Sequence, residues 1–312
     1  MDLSNCRLVL VLSFFGGIAG PAIAQSKTSS TVPLLHSRTH LLIVSARVND
    51  RGPYKFILDT GSNITLLESS LFRELGLKEI GHTSTKVVDW MALGKIASAE
   101  EISIEGGPSR SNVRVLEVDG IKRPDIDSLV RGVLGENFLS GFDVLIDNRR
   151  HRITFDNGNL LASSLQGEHL ALALSSDVRG AKVDDRPLVS ARAPFDANRP
   201  LLLLLDTGSE STYLVTRQGA SPDVAAAATP ARGMALLGGN SPCVHWKDRL
   251  QLGRTTTPRI RMTSCLKSPA AVADNDGTLP TFIFDRIFIS HAGGYFILDP
   301  VETGALGQDS RH

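Results

Sequence analysis

Two copies of the tetrapeptide Asp-Thr-Gly-Ser are the residues of this chain best suited to do chemistry. Asp59 begins the first copy and Asp206 the second, and an apolar run precedes and follows each. This pattern predicts a buried strand that delivers a carboxylate into a tight, glycine-containing turn. Two carboxylates that face each other across one water can hydrolyse a peptide bond, because one acts as general base while the other, protonated, donates a hydrogen bond to the carbonyl oxygen. This chemistry requires no metal and no covalent intermediate.

The sequence around the two motifs repeats, which divides the chain into halves. A Val-Ser-Ala-Arg run precedes each motif, at residues 44–47 and 189–192, and a glycine-led apolar segment follows each, from Gly132 and Gly277. The length of 312 residues also agrees with about two domains. We therefore predict two homologous lobes, residues 36–166 and 181–306, joined by a connector over residues 167–180.

Short strands separated by turn residues are predicted to position these motifs. Residues 40–47 and 54–58 are predicted strands joined through the turn residues 49–52, and residues 69–77 form a predicted short helix with Ser69 or Ser70 as N-cap. Residues 87–104 are predicted to form a hairpin whose tip, residues 90–94, carries Trp90. Further short strands follow in both halves, a pattern typical of an all-β barrel or sandwich.

The paired motifs resemble those of the aspartic peptidases, and most closely those of bacterial retropepsin-like proteins with two lobes fused in one chain. The resemblance implies two homologous retropepsin-like β-barrel lobes that form a pseudo-twofold, pepsin-like bilobal fold. It implies an aspartic endopeptidase in which Asp59 and Asp206 share one catalytic water. The substrate would be a polypeptide, no cofactor or metal would be needed, and the protein would be a monomer containing an intramolecular pseudo-dimer.

The resemblance also assigns supporting roles to the three residues after each aspartate. It implies that the threonine hydroxyls interlock the two turns and that the glycines let the backbone approach the carboxylates closely. It implies that the serine hydroxyls can donate to the outer carboxylate oxygens. These supporting residues are Thr60, Gly61, Ser62, Thr207, Gly208 and Ser209.

Three further expectations concern the pH profile, the second lobe and the hairpin. Hydrogen bonds from the serine hydroxyls would lower the upper pKa of the pair, so we expect a bell-shaped profile with an optimum at about pH 3–6. The segment 133–135, Val-Leu-Gly, matches the family pattern, whereas residues 278–280 carry Pro280 in place of its glycine. Trp90 is either the aromatic residue of a flap that covers the substrate or a core residue.

The beginning of the chain predicts export. Residues 8–24 are almost wholly apolar and end in Ala-Ile-Ala ahead of Gln25, which is typical of a cleaved signal peptide at residues 1–24. The protein is then periplasmic or secreted; an uncleaved N-terminal anchor is the alternative. Residues 25–35 are predicted to be a flexible lead-in and residues 307–312 a tail. Cys243 and Cys265 remain after cleavage, and such a pair in an exported protein predicts a disulfide, with two buried thiols as the alternative.

Composition and motif spacing exclude several other functions. The 33 basic and 33 acidic residues balance, so nucleic acid is not an expected partner. The eight histidines show no metal-ligand spacing. An actin-like or sugar-kinase ATPase would share the Asp-x-Gly-Ser turn but would need long helical segments. A catalytically idle peptide-binding module on the same fold remains an alternative, against which the two intact motifs argue.

Overall fold

The fold is described by a computed structural model. It describes residues 28–35, 40–87, 90–119, 121, 130–174, 186–194, 196–216, 229–231, 243–266 and 275–303. Within those ranges, no helix is both long and apolar enough to cross a membrane. The predicted signal peptide and the predicted tail lie outside the described residues.

Short strands dominate the first half of the chain, as the spacing of its turn residues predicts. Its strands are β1 (Ser29–Pro33), β2 (Ile43–Val48), β3 (Arg51–Leu58), β4 (Thr65–Glu68), β5 (Glu79–Val87), β6 (Trp90–Ile104), β7 (Ser109–Val118), β8 (Val130–Leu134), β9 (Asp143–Asp147), β10 (Arg152–Asp156), β11 (Leu165–Gln166) and β12 (Leu170–Leu174). Its helices are α1 (Ser69–Leu75), α2 (Glu136–Leu139) and α3 (Leu160–Ser164).

The second half is also built of short strands, with a 3-10 turn at Thr281–Ile283. Its strands are β13 (Pro187–Ala193), β14 (Asp196–Asp206), β15 (Thr212–Thr216), β16 (Thr229–Ala231), β17 (Cys243–Asp248), β18 (Gln251–Leu252), β19 (Thr255–Thr256), β20 (Ile260–Leu266), β21 (Gly277–Pro280), β22 (Arg286–Ser290), β23 (Tyr295–Leu298) and β24 (Val301–Glu302). The all-β fold class predicted from the sequence is confirmed.

The two lobes share one strand order. The first sheet runs β2-β3-β8-β4-β7-β6-β5, and a pairing of β2 with β6 closes six of these strands into a barrel. The second runs β13-β14-β21-β15-β20-β17-β16, in which each strand takes the place of its counterpart. The sense of pairing also matches, because β3·β8 and β14·β21 are parallel while β4·β8 and β15·β21 are antiparallel. The sequence repeat is therefore a repeat of structure.

A shared sheet joins the lobes. Its order is β1-β10-β9-β22-β23-β12, so the hairpin β9–β10 of the first half lies beside the hairpin β22–β23 of the second. The central pair β9·β22 is antiparallel, with Ile146 opposite Ile287. One buried apolar cluster runs through both halves and includes Phe155 and Phe296, each 1% exposed. Burial of this apolar surface holds the lobes together.

Local sequence explains how the first turn and helix form, with one correction. Asn49 and Asp50 have φ of 49° and 60°, the positive values that a two-residue hairpin turn of type I′ requires and that Asn and Asp tolerate. Helix α1 ends at Gly76 in the left-handed region. Its N-cap is Glu68, whose side chain accepts from the N–H groups of Ser70 and Leu71, and not Ser69 or Ser70 as predicted.

Two segments outside the predicted lobes contain strands. Residues 29–33, placed in the flexible lead-in, form β1 and pair along their length with β10, with Val32 buried opposite Ile153. The predicted connector 167–180 contains β12, which pairs with both β23 and β13. The Ser- and Thr-rich sequence of β1 carries no periodic apolar signal, whereas β12 is the apolar run Leu-Ala-Leu-Ala-Leu, whose place in the sheet is set by distant partners.

Candidate active site

Asp59 and Asp206 occupy equivalent places in the two lobes. Asp59 directly follows β3, and its N–H donates to the carbonyl of Leu134 in the parallel strand β8 over 3.0 Å. Asp206 ends β14 and lies opposite Pro280 of the parallel strand β21. Each carboxylate therefore stands where two parallel strands of its barrel end. Both residues are partly accessible.

The two turns approach so closely that the carboxyl groups form a pair, here called the dyad. A Cβ atom added at Gly61 would lie 2.7 Å from Cγ of Asp206, and one added at Gly208 would lie 2.5 Å from Cγ of Asp59. Real Cβ contacts are not this short, so only glycine lets each turn approach the opposite carboxyl. Asp59 and Asp206 also share a hydrogen bond.

Thr60 and Thr207 interlock the two turns in the manner predicted. The Thr60 hydroxyl donates to the carbonyl of Leu205 over 2.6 Å and accepts from the N–H of Thr207 over 3.0 Å. The Thr207 hydroxyl donates to the carbonyl of Leu58 over 2.8 Å and accepts from the N–H of Thr60 over 3.0 Å. Both threonines are buried. Each lobe thus fixes the main chain of the other at the dyad.

The serine hydroxyls do not donate to the carboxylates, which corrects the prediction for Ser62 and Ser209. The Ser62 hydroxyl donates to the carbonyl of Ile64 over 2.8 Å, and that of Ser209 donates to the carbonyl of Ser211 over 2.8 Å. A hydroxyl has one proton to donate, and the carbonyl two residues ahead takes it.

Main-chain groups donate to the carboxylates instead. The N–H of Gly61 lies 2.8 Å from Oδ1 of Asp59, and the N–H of Gly208 lies 2.8 Å from Oδ1 of Asp206. Each donor belongs to the turn that carries its own carboxylate. The orientation of each carboxylate is therefore set by the fold of its turn.

The surroundings raise the pKa of both carboxyls, and unequally. Burial raises the pKa of Asp59, and hydrogen bonds from Gly61 and Asp206 oppose the rise. Burial and then the negative charge of Asp59 raise the pKa of Asp206 well above its ordinary value. Two carboxyls in one site do not both ionise readily, so the pair holds one proton over a wide pH range, with Asp206 as the side that retains it.

Arg186 is a residue near the dyad that the sequence reasoning missed. Its charge lowers the pKa of both Asp59 and Asp206, against the effect of burial. Strand register explains its position: Leu188 lies opposite Leu204, which places the residue two before Leu188 beside the end of β14.

The first lobe has an apolar residue in the place of Arg186. Ile43 lies opposite Ile57 in the hairpin β2–β3, which puts Leu41 beside Asp59, and Leu41 is buried. The signal was present in the sequence, because Leu41 and Arg186 each stand three residues ahead of a Val-Ser-Ala-Arg run.

Residues 44–138 match the family described as aspartyl protease. The matched residues of the first lobe are similar to that family. The match includes Asp59 and ends before Asp206. Among solved structures, the chain is similar to a retropepsin-like aspartic protease from Rickettsia conorii, with 22% identity and a TM-score of 0.30 over 42% of this chain and 93% of that chain. No curated protein matches the chain.

In the first lobe, Asn137 joins the segment after β8 to the start of β4, which follows the motif turn. Its Oδ1 accepts from both the N–H and the hydroxyl of Thr65, each over 2.8 Å, and its Nδ2 donates to the carbonyl of Arg114 over 2.7 Å. The N–H of Gly135 donates to the Thr65 hydroxyl over 3.3 Å. The Thr65 hydroxyl, which is fully buried, is therefore satisfied twice.

The second lobe has lost these partners. Thr212 takes the place of Thr65, but Pro280 stands at the position of Gly135 and has no N–H, and Phe282 stands at the position of Asn137. Among the described residues, the buried hydroxyl of Thr212 has no hydrogen-bond partner. The departure noted in the sequence at Pro280 thus changes the packing beside the dyad, while Pro280 itself keeps its strand pairing with Asp206.

The long hairpin of the first lobe differs from the one predicted. Its strands are β5 and β6, Val87 pairs with Trp90, and residues 90–94 belong to β6 and not to the tip of the hairpin. Trp90 is the first residue of β6. Its side chain lies outside the described residues, and its assignment to the flap stays a prediction.

The two cysteines of the second half lie on neighbouring strands. Cys243 of β17 and Cys265 of β20 are direct partners in the antiparallel register. Their side chains lie outside the described residues, so the disulfide stays a prediction. Among the described residues, no group of three or more His, Cys, Asp or Glu side chains is arranged to hold a metal ion.

Proposed function

We propose that this chain is an aspartic endopeptidase in which one aspartate from each lobe acts on a shared water. The observation that carries the proposal is the reciprocal interlock of Thr60 and Thr207, which joins the two Asp-Thr-Gly-Ser turns across the lobes. The aspartyl protease family of the first lobe supports a hydrolase that acts on polypeptides. The second aspartate, Asp206, lies outside the residues that match this family, and we assign it from the internal repeat.

The chemistry follows from the unequal proton affinities of the dyad. Asp59, the carboxyl with the smaller rise in pKa, takes a proton from water as that water attacks the peptide carbonyl carbon. Asp206 retains its proton and donates a hydrogen bond to the carbonyl oxygen, which becomes negatively charged in the transition state. Asp59 then passes the proton that it took from water to the amine nitrogen, which allows the carbon–nitrogen bond to break. The dyad again holds one proton, on Asp206, when the products leave.

Substitution of each dyad residue tests this assignment. Asp59→Asn and Asp206→Asn should each lower kcat/KM for an unstructured protein such as casein by at least about a hundredfold, the usual range for loss of acid–base catalysis. Pepstatin should inhibit the wild type. Asp285→Asn is the matched control, because the Asp285 side chain is 72% exposed. If either dyad variant kept a tenth of the wild-type rate, the shared-water mechanism would be wrong.

The same variants separate an enzyme from an idle binding module. A module would bind an extended peptide equally well in the wild type and in both variants, without cleaving it. An ATPase would instead release phosphate from ATP, and pepstatin would not affect that release.

We also propose that the protein is exported as a monomer, on the basis of the apolar residues 8–24 and of the complete dyad within one chain. The N-terminal sequence of the protein recovered from its native compartment should begin at Gln25. A mature chain that retains residues 1–24 would show an anchor instead.

A further inference from the structure

The second lobe carries a strip of positive charge on the exposed face of strands β17 and β20. Lys247 and Arg261 are direct partners in the antiparallel register, so their side chains lie on the same face. The same register, continued by one residue, places Arg249 beside Arg259. All four residues are exposed. We call these four residues the basic strip.

The strip is a local departure from the charge balance of the whole chain. The chain has 33 basic and 33 acidic residues, whereas residues 243–266 contain five basic residues and one acidic residue. These are Lys247, Arg249, Arg254, Arg259 and Arg261 against Asp248. Asp248 lies opposite the buried Ile260, which puts its side chain on the other face of the strand pair. The one acidic residue of this segment therefore lies apart from the strip.

The four charges have no acidic partner within the described part of the chain. The Arg259 guanidinium donates to the main-chain carbonyl of Lys247 over 3.4 Å, and no described carboxylate forms an ion pair with a residue of the strip. Burial, followed by the positive charge of Arg261, lowers the pKa of His245, as expected beside an unneutralised charge. Like charges directly opposite each other on neighbouring strands destabilise a sheet. Bound carboxylates would remove this repulsion, so the strip favours an anionic ligand.

The equivalent face of the first lobe is nearly neutral. Strands β6 and β7 take the places of β17 and β20, and the pairing of the threonine after each motif turn sets the alignment. Ser98 and Arg114 are direct partners in the place of the pair that contains Lys247. Glu100 and Asn112 take the places of the second pair. One positive and one negative charge thus replace four positive charges, so the fold itself does not require the strip.

The strip lies within reach of a polypeptide held at the dyad. Strand β15 follows the second motif turn, and its first residue, Thr212, pairs in parallel with Met262, the residue after Arg261. The chain from Asp206 to Thr212 spans at most about 22 Å, whereas ten residues of extended substrate span about 33 Å. One substrate chain can therefore occupy the dyad and the strip together.

We propose that the basic strip binds an acidic segment of the polypeptide substrate in an extended conformation, away from the residues that surround the scissile bond. The two pairs of the strip are about 6.6 Å apart along the strands, which is also the spacing of alternate side chains in an extended peptide. Carboxylates at every second residue would each face one pair of cations. The strip is two strands wide, about 5 Å, which fits one extended chain and not a lipid surface. This inference rests on the proposed function, because it names the substrate of that peptidase.

Paired substrates that share one cleavable sequence and differ only in an attached tail test the proposal. One tail alternates Glu and Ser and the other alternates Gln and Ser, and each is attached in turn to either end. At one end, KM at about pH 6, where glutamate is ionised, should be roughly threefold to tenfold lower for the glutamate tail. The value of kcat should not change, because the strip does not touch the reacting atoms. In about 1 M NaCl the ratio of KM values should approach one. Equal KM values at both ends would overturn the proposal.

Charge reversal within the strip is the sharper test. Lys247→Glu with Arg259→Glu gives each pair one positive and one negative charge, so the ratio of KM values should fall to about one. The same variant should melt no lower than the wild type, because repulsion within each pair is replaced by attraction. Arg114→Glu with Arg149→Glu is the matched control, since it changes the total charge equally at exposed positions of the first half. A ratio that persists in the strip variant, or that falls equally in the control, would contradict the proposal.

A binding measurement keeps this inference separate from the proposed function. If no peptide is cleaved, the proposed function fails, and a fluorescein-labelled peptide of alternating Glu and Ser tests the strip alone by fluorescence anisotropy. Its Kd should rise at least about threefold in the strip variant and stay unchanged in the control. A peptide that does not bind the wild type, or that binds the wild type and the strip variant equally, would overturn the strip. Binding of phosphatidylglycerol vesicles through these residues, without binding of the peptide, would also overturn it.

Discussion

Thr60 and Thr207 exchange four hydrogen bonds between the lobes, each hydroxyl accepting from the other residue's N–H and donating to a carbonyl of the opposite strand. The donors and acceptors are buried, so none can be replaced by water without opening the interface. Because these residues directly follow Asp59 and Asp206, the bonds that hold the lobes together also position the dyad.

Removal of one hydroxyl should therefore reduce stability and activity together. Thr207→Val deletes the donor to Leu58 and leaves the N–H of Thr60 without a partner, at a cost of about 1–3 kcal/mol. Urea unfolding should show the lower stability, and kcat/KM should fall at least about tenfold. Thr207→Ser keeps the hydroxyl and should recover most of both losses. A valine variant that matched the wild type in both measurements would contradict the interlock.

The pH profile should not depend on the serine hydroxyls. The sequence predicts that Ser62→Ala with Ser209→Ala moves the upper limb of the bell-shaped profile toward neutrality. In the structure these hydroxyls donate to Ile64 and Ser211, so the double variant should shift that limb by less than about half a pH unit. Measurement of kcat/KM from pH 2 to 9 decides this, and a shift of a full unit would restore the original assignment.

Arg186 should set the upper limb instead. Its charge favours the ionised forms of Asp59 and Asp206, so its removal raises the pKa of both carboxyls. The active form carries one proton on the dyad, so a higher upper pKa extends activity to higher pH.

Arg186→Leu, which copies Leu41 of the first lobe, should move the upper limb up by about half to one unit. Arg192→Leu, at an exposed position of β13, the strand that begins directly after Arg186, is the control and should not move it. An upper limb that falls or stays in place in Arg186→Leu would show that the guanidinium does not act on the dyad.

A buried pair between the lobes should make stability depend on pH. His291 Nε2 lies 3.1 Å from Oε2 of Glu136, and its Nδ1 lies 2.7 Å from the carbonyl of Phe142. Burial lowers the pKa of His291, but the hydrogen bond and charge of Glu136 outweigh burial and raise it overall.

A raised folded-state pKa means that this stabilisation is fully present below the unfolded value of about 6.5 and is lost as pH rises through the folded pKa. The free energy of unfolding should therefore fall as pH rises above about 6.5, and His291→Gln should remove most of that fall. His82→Gln is the control, because His82 is 61% exposed. An identical pH dependence in wild type and His291→Gln would show that the pair does not titrate in this range.

The sequence predicts those structural features that depend on neighbouring residues or that occur in both halves. The halves, the strand that precedes each aspartate and the turn at Asn49 and Asp50 all follow from apolar runs and turn residues. The pairing of β1 and β12 in the sheet does not follow from local sequence, because their partners lie far along the chain. Register across a hairpin likewise decides which residue stands beside Asp206, and a motif search does not examine register.

The same limit applies to single hydrogen bonds. The spacing of Ser62 and Ser209 allows either a carboxylate or a main-chain carbonyl as acceptor, and only the three-dimensional structure shows that the carbonyl accepts. Cys243 and Cys265 are partners in the strand register, but the disulfide between them stays a prediction. Titration of thiols in the unreduced, denatured protein would decide whether the bond forms, since two free thiols would exclude it.

The pairing of β9 with β22 has a consequence for how the protein is made. Residues 143–147 of β9 are synthesised well before residues 286–290 of β22, so one edge of β9 has no partner while the second half is still being translated. An open strand edge pairs readily with another chain. Nascent molecules held close together, as on one polysome, could therefore exchange their second lobes. Each active site of such a swapped dimer would still contain one aspartate from each chain. The dimer would therefore remain active and would be detected only by its doubled mass.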